Sequence, residues 1–161
     1  MFNSQLNSKS IARIAAIQTL YQFKNDKQDT DIETLLLKII DFYRDKDIKS
    51  DYELDSKSLL KLKPSFNYLK ELVKHTHDNV QEIDRIIEDH LSNEWTIKNL
   101  PQLLFATLRV SICEMKYFPE TPRNVIINEY TDIASDMLDD GQVGFVNSVL
   151  DKYANKPLLK R

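Results

Sequence analysis

Residues 100–118 read LPQLLFATLRVSICEMKYF, and the placement of their apolar side chains decides the kind of molecule. Leu103, Leu104, Phe105, Leu108, Val110, Ile112 and Met115 surround nearly the whole circumference of a helix that starts at Pro101, a residue suited to the first helical position. A helix apolar on every side must be enclosed. No apolar run in the chain approaches the ~20 residues needed to span a bilayer, so the enclosure is expected to come from other helices, with this one at the centre.

The surrounding sequence supplies those helices. Downstream, Thr121 and Pro122 mark the start of PRNVIINEYTDIASDML, which ends before Asp139-Asp140-Gly141. GFVNSVLDKYA at 144–154 closes the fold, with Phe145, Val146, Val149, Leu150 and Tyr153 at helical spacing. Upstream, SFNYLKELVKHTHDNVQEIDRIIEDHLSN reads as two helices broken near His77 to Asn79, the second carrying Val80, Ile83, Ile87 and Leu91. DIETLLLKIIDFYRD is a further helix. SKSIARIAAIQTLYQF opens the fold, with a cap at Ser8 or Ser10 and Ile11, Ile14, Ile17 and Tyr21 on one stripe; Lys9 and Arg13, four apart, share another. Only two glycines, Gly141 and Gly144, occur, and few stretches alternate with the strand period of two. The expectation is an all-α fold of about seven helices. The segment at 46–62 is too charged and irregular for a core element and reads as a long loop.

Composition narrows the function. A chain of 161 residues with 42% hydrophobic content is the size of one domain with an ordinary core. A net charge of −3 argues against a strongly basic nucleic-acid binder, but the charge is uneven. Residues 1–28 hold Lys9, Arg13, Lys24 and Lys27 against Asp26, a local balance of +3, which leaves −6 for the rest. An anionic partner is therefore expected at the N-terminus. The opening MFNSQLNSKS has no apolar signal core. Cys113 stands alone in RVSICEM, a structural thiol that suits a reducing compartment. A soluble, cytoplasmic protein without membrane association follows as the expectation.

Catalytic chemistry has little to work with. His75, His77 and His90 lack the cysteine or carboxylate companions of a zinc site, and two glycines cannot build a phosphate loop or a dinucleotide fingerprint. Asp132, Asp136, Asp139 and Asp140 read as a solvated face. We expect no enzyme, no metal and no cofactor.

Three segments together resemble the NusB family of bacterial transcription antitermination factors: ARIAAIQTLYQF at 12–23, LRVSICEM at 108–115, and PRNVIINEYTDIASDMLDDGQVGFVNSVLDKYA at 122–154. An Ala-rich opening helix ending in Leu-Tyr, a Leu-Arg helix, Ile-Asn-Glu, and then Phe-Val-Asn before Val-Leu-Asp-Lys occur in the family's order. The resemblance implies a single NusB-like domain of two packed helical subdomains, about 8–77 and 78–155. It also implies an RNA-binding adaptor that pairs with NusE, a small-subunit ribosomal protein, to hold box A-type single-stranded RNA near RNA polymerase in the antitermination complex and so support ribosomal RNA transcription. Phe145 and Asn147 match the family's Phe-Val-Asn motif, and the basic N-terminal helix maps onto Lys9 and Arg13 with Gln18 and Tyr21 farther along. These roles suit the chemistry, since an aromatic ring can stack on an unpaired base, an amide can read a base edge and cations can hold phosphates.

This chain departs from the family pattern in places. Where many relatives have several consecutive arginines it has KSIAR, so weaker and less salt-sensitive RNA binding is expected. Gly144 replaces the usual basic residue before Phe-Val-Asn, Ser148 the usual glycine after it, and Leu104 and Phe105 stand where relatives tend to carry charges. Two other functions compete with the adaptor. One is a helical module that binds protein with little RNA affinity, favoured by the acidic balance. The other is a stand-alone relative of the NusB-like domain of RNA methyltransferases, which in those enzymes continues into a large cofactor-binding domain.

Overall fold

A computed structural model describes residues 7–25, 30–45, 63–92 and 94–155; the loop expected at 46–62 lies outside them. Seven α-helices occur among these residues, with no strand: α1 Ser8–Asn25, α2 Ile32–Asp45, α3 Phe66–Asp78, α4 Val80–Asp89, α5 Gln102–Tyr117, α6 Arg123–Met137 and α7 Asp140–Ala154, with a 3-10 turn at Ile97–Asn99. They form two compact units that divide between His77 and Asp78.

In the N-terminal unit, α1 packs on α2. Its cap lies before both serines, one residue ahead of Ser8: Asn7 Oδ1 accepts from the backbone N–H groups of Lys9 and Ser10, both at 3.0 Å. Asparagine does this well because its short amide reaches the otherwise unpaired donors of the first turn. Ser10 instead turns its hydroxyl back to the same oxygen at 3.2 Å. The expected apolar stripe is half right. Ile11 and Ile17 are buried, but Ile14 is only partly covered and Tyr21 is exposed, whereas Ala12, Ala15, Ala16, Thr19 and Leu20 are buried. Asp31 caps α2 through Thr34 N–H at 2.7 Å, and that hydrogen bond holds its carboxyl below the ordinary range. Leu35, Ile39, Ile40 and Tyr43 form the buried stripe of α2. The start of α3 is tied to the start of α1 by Ser65 N–H donating to the Ser8 carbonyl at 2.9 Å, and Leu69, Leu72, Val73 and Thr76 are its buried side.

The C-terminal unit is built on α5, which packs against α4, α6 and α7. Every residue from Leu104 to Met115 except Arg109 is buried, as the all-round apolar pattern requires. Three of these side chains are polar, and all are satisfied. Ser111 donates its hydroxyl to the Leu108 carbonyl at 3.1 Å. Thr107 donates to the Leu103 carbonyl at 2.8 Å, and the Glu114 carboxylate accepts from the buried Tyr130 hydroxyl of α6 at 2.6 Å. Arg109 reaches outward to Asp84 of α4 in a two-pronged pair, 2.8 Å on each prong, with its guanidinium 4.0 Å from the centre of the Phe105 ring. Leu104 and Phe105 are therefore core residues and leave no place for charges there. α7 starts earlier than the glycine at 144: Asp139 accepts from Gln142 N–H at 2.8 Å, and both glycines lie inside the first two turns. Neither is forced by space, since a Cβ at Gly144 would meet nothing within 4 Å.

Candidate RNA-binding surface

The four α1 residues singled out from sequence fall into two groups. Lys9 and Arg13 converge on one ring, that of Tyr68 in α3, with Lys9 Nζ at 4.9 Å and Arg13 Cζ at 5.6 Å from its centre. Their exposure differs. Lys9 is exposed, whereas Arg13 is only 3% exposed, so Lys9 is the accessible cation of the pair and Arg13 is part of the packing around Tyr68. Nothing local in the sequence connects Tyr68 to α1; tertiary packing alone brings it there.

Gln18 lies nine residues beyond Lys9, which at 100° per residue puts it on the opposite side of the helix, about 180° away. Its side-chain oxygen accepts a hydrogen bond from the Tyr43 hydroxyl of α2 at 2.9 Å, so it braces α1 against α2. Burial pushes the Tyr43 phenol above its ordinary pKa, with the Gln18 bond opposing that shift. Tyr21, one turn on, is 38% exposed. Lys9 and Tyr21 are thus the two accessible candidates on α1, on different faces of it.

Phe145 and Asn147 also part company. On an ideal helix, positions i and i+2 are about 200° apart, and here the buried residue between them, Val146, belongs to the core stripe with Val149 and Leu150. Phe145 and Asn147 form the two shoulders of that stripe. The Phe145 ring, partly covered, meets Trp95 with centroids 5.8 Å apart and planes inclined at 51°. Asn147 is exposed, and its Oδ1 lies 3.5 Å from the Thr131 hydroxyl of α6. An aromatic and an amide are both available, on separate flanks of α7. Trp95 was missed in the sequence; its one signal was being a lone tryptophan in a polar connection.

Charge separates the units as well. From 78 to 155 there are fourteen Asp and Glu against six Lys and Arg, a balance of −8. Cations that could hold phosphate are correspondingly scarce there. The described residues contain no cluster of His, Cys, Asp and Glu able to hold a metal ion. His75 and His90 instead bond to backbone carbonyls one turn back, at 2.9 and 2.8 Å, and His77 meets Phe23 edge-on. Cys113 is buried, and no helix among the described residues is long and apolar enough to cross a membrane.

A family model described as the NusB family matches residues 10–155. The transcription antitermination protein NusB of Rickettsia conorii is 44% identical over 156 residues, covering 97% of this chain and 97% of that protein. Among solved structures, T. maritima NusB aligns with a TM-score of 0.71 at 22% identity, covering 93% of each chain. A chain from the crystal structure of antitermination factors NusB and NusE in complex with dsRNA aligns with a TM-score of 0.70 at 21% identity, covering 92% of this chain and 96% of that one. At these identities the two structural likenesses speak for the fold.

Proposed function

Because this chain belongs to the NusB family of non-catalytic transcription antitermination factors, we propose that it is an RNA-binding adaptor that holds box A-type single-stranded RNA together with NusE. In this reading it works in the cytoplasm within the antitermination complex on RNA polymerase, supporting ribosomal RNA transcription. The observation that carries the reading is the family match across residues 10–155. A structural neighbour described with NusE and dsRNA shares the fold, which agrees with a partner protein and an RNA ligand in general and says nothing of box A.

The division of labour follows from exposure. Lys9 supplies phosphate charge, with Arg13 holding Tyr68 and so the place of Lys9; Tyr21 offers a stacking ring; Gln18 fixes the helix that carries them. Phe145 and Asn147 contribute from the two flanks of α7, so they contact different nucleotides instead of gripping one base between them. A single accessible cation in the Lys9–Arg13 pair gives a shallow salt dependence, since each phosphate neutralised on single-stranded RNA contributes a slope of only about −0.7 in log K against log[salt]. The acidic C-terminal unit suits a basic protein surface, which agrees with a protein partner acting beside RNA.

The test is to measure RNA affinity and thermal unfolding side by side for Lys9→Glu, Phe145→Ala and Asn147→Ala, using a fluorescent box A-type oligoribonucleotide. Phe145→Ala should lose about 1–3 kcal/mol of binding, the usual worth of a stacked base, while keeping its fold. If all three variants are folded and bind like the parent at low salt, these residues are scaffold and the surface lies elsewhere.

A further inference from the structure

We propose that Trp95 and Phe145 form a stacking platform for one unpaired base of the bound RNA, so that the acidic C-terminal unit engages RNA through a base and not through phosphate. The proposal rests on the RNA-binding reading above and adds a residue to it.

Trp95 is 37% exposed although its backbone is held on both sides. Its N–H donates to the Ser92 carbonyl at 3.1 Å, and the next residue, Thr96, donates from its N–H to the Asn99 side chain at 2.8 Å, closing the turn at Ile97–Asn99. The indole is therefore presented by a fixed turn. Phe145 comes to it from a different element, the early part of α7. With a centroid separation of 5.8 Å and an inclination of 51°, the rings are neither stacked face to face nor set edge to face. Neither covers the whole face of the other, and a flat third partner can lie against them.

Charge selects the occupant. With fourteen acidic and six basic residues from 78 to 155, and with Glu94 next to Trp95 and Asp140 at the start of α7, a phosphate gains little here. A neutral, planar nucleobase needs no charge complement on the rings themselves, and every base has a π face to offer. Binding at this platform is therefore governed by stacking and adds nothing to the salt dependence, which Lys9 sets from the other unit.

The chain has one tryptophan, so its own emission reports the platform. The full chain is titrated with a box A-type single-stranded oligoribonucleotide at low salt, following tryptophan emission and the anisotropy of labelled RNA together. The expected result is saturable quenching with the same midpoint in both signals. Trp95→Ala should weaken binding about 5- to 150-fold with an unchanged slope of log K against log[salt], Trp95→Phe should recover most of the loss, and Lys9→Ala should flatten the slope instead. Binding by anisotropy with no change in emission, and a folded Trp95→Ala protein that binds like the parent, would overturn the platform while leaving the RNA reading intact. A slope that falls in Trp95→Ala overturns it too, because a phosphate contact was then lost. Should Trp95→Ala fail to fold, the parent's quenching and the Trp95→Phe affinity decide. Quenching by NusE and not by RNA makes the patch a protein-docking surface and overturns the proposal, and no RNA binding in either signal, with NusE present as well as without it, overturns it along with the reading beneath it.

Discussion

α5 is buried along most of its length and α1 along one side, and the two reach that state with different mixes of side chains. α5 does it mainly with Leu104, Phe105, Leu108, Ile112 and Met115, whose bulk fills the space between it and its neighbours; α1 buries Ile11, Ile17 and Leu20 as well, but sets the small Ala12, Ala15, Ala16 and Thr19 among them. Small residues permit enclosure by close approach of the backbone, and large ones by interdigitation at the same final density. The polar atoms follow one rule in both. Thr19 donates to the Ala15 carbonyl and Thr107 to the Leu103 carbonyl, each at 2.8 Å, so a buried hydroxyl is satisfied within its own helix.

That contrast explains what could be read from sequence. Bulk announces burial, so α5 was legible as a central helix and the all-α class with it. Alanine announces only helix, so the stripe assigned to α1 took in Ile14 and Tyr21, which lie on its open side, and passed over the alanines. The site was less legible than the fold. Lys9 and Arg13 look alike in a basic segment, and spacing alone could not tell that Lys9 is exposed while Arg13, four residues on, is covered. Tyr68 and Trp95 come to their partners Lys9 and Phe145 only through tertiary packing, and no local pattern encodes that. Phe145 and Asn147 looked like a unit because a motif lists them together; helix geometry sets them on two flanks.

The sharpest way to test the comparison is to remove bulk from α5. Leu108→Ala empties a fully buried site and should cost about 2–5 kcal/mol, read by denaturant unfolding. The reverse change belongs to α1: Ala16→Leu adds bulk where none fits and should cost about 1–3 kcal/mol by overpacking. If Ala16→Leu is neutral, α1 is not closely packed and the contrast fails. Within α1, the two cations should separate. Arg13→Ala should lower stability by about 1–3 kcal/mol, whereas exposed Lys9→Ala should stay within about 0.5 kcal/mol. Equal effects on stability would put both residues in the same environment. The last expected effect is a gain. Gly144→Lys replaces a helical glycine that has open space around it with a better helix former, and should raise stability by about 0.5–1 kcal/mol. It also sets a cation beside Phe145, which should steepen the salt dependence of RNA binding by about 0.7 in slope.

The central claim is that the chain binds RNA as one half of an adaptor, and one titration addresses it directly. Anisotropy of a box A-type oligoribonucleotide is followed against this protein alone, against NusE of the same organism alone, and against the two together, with a scrambled RNA in parallel. The account predicts modest binding by the chain alone, clearly tighter binding by the pair, and preference for the box A-type sequence in both cases. Absence of RNA binding at low salt, with NusE present as well as without it, would contradict it.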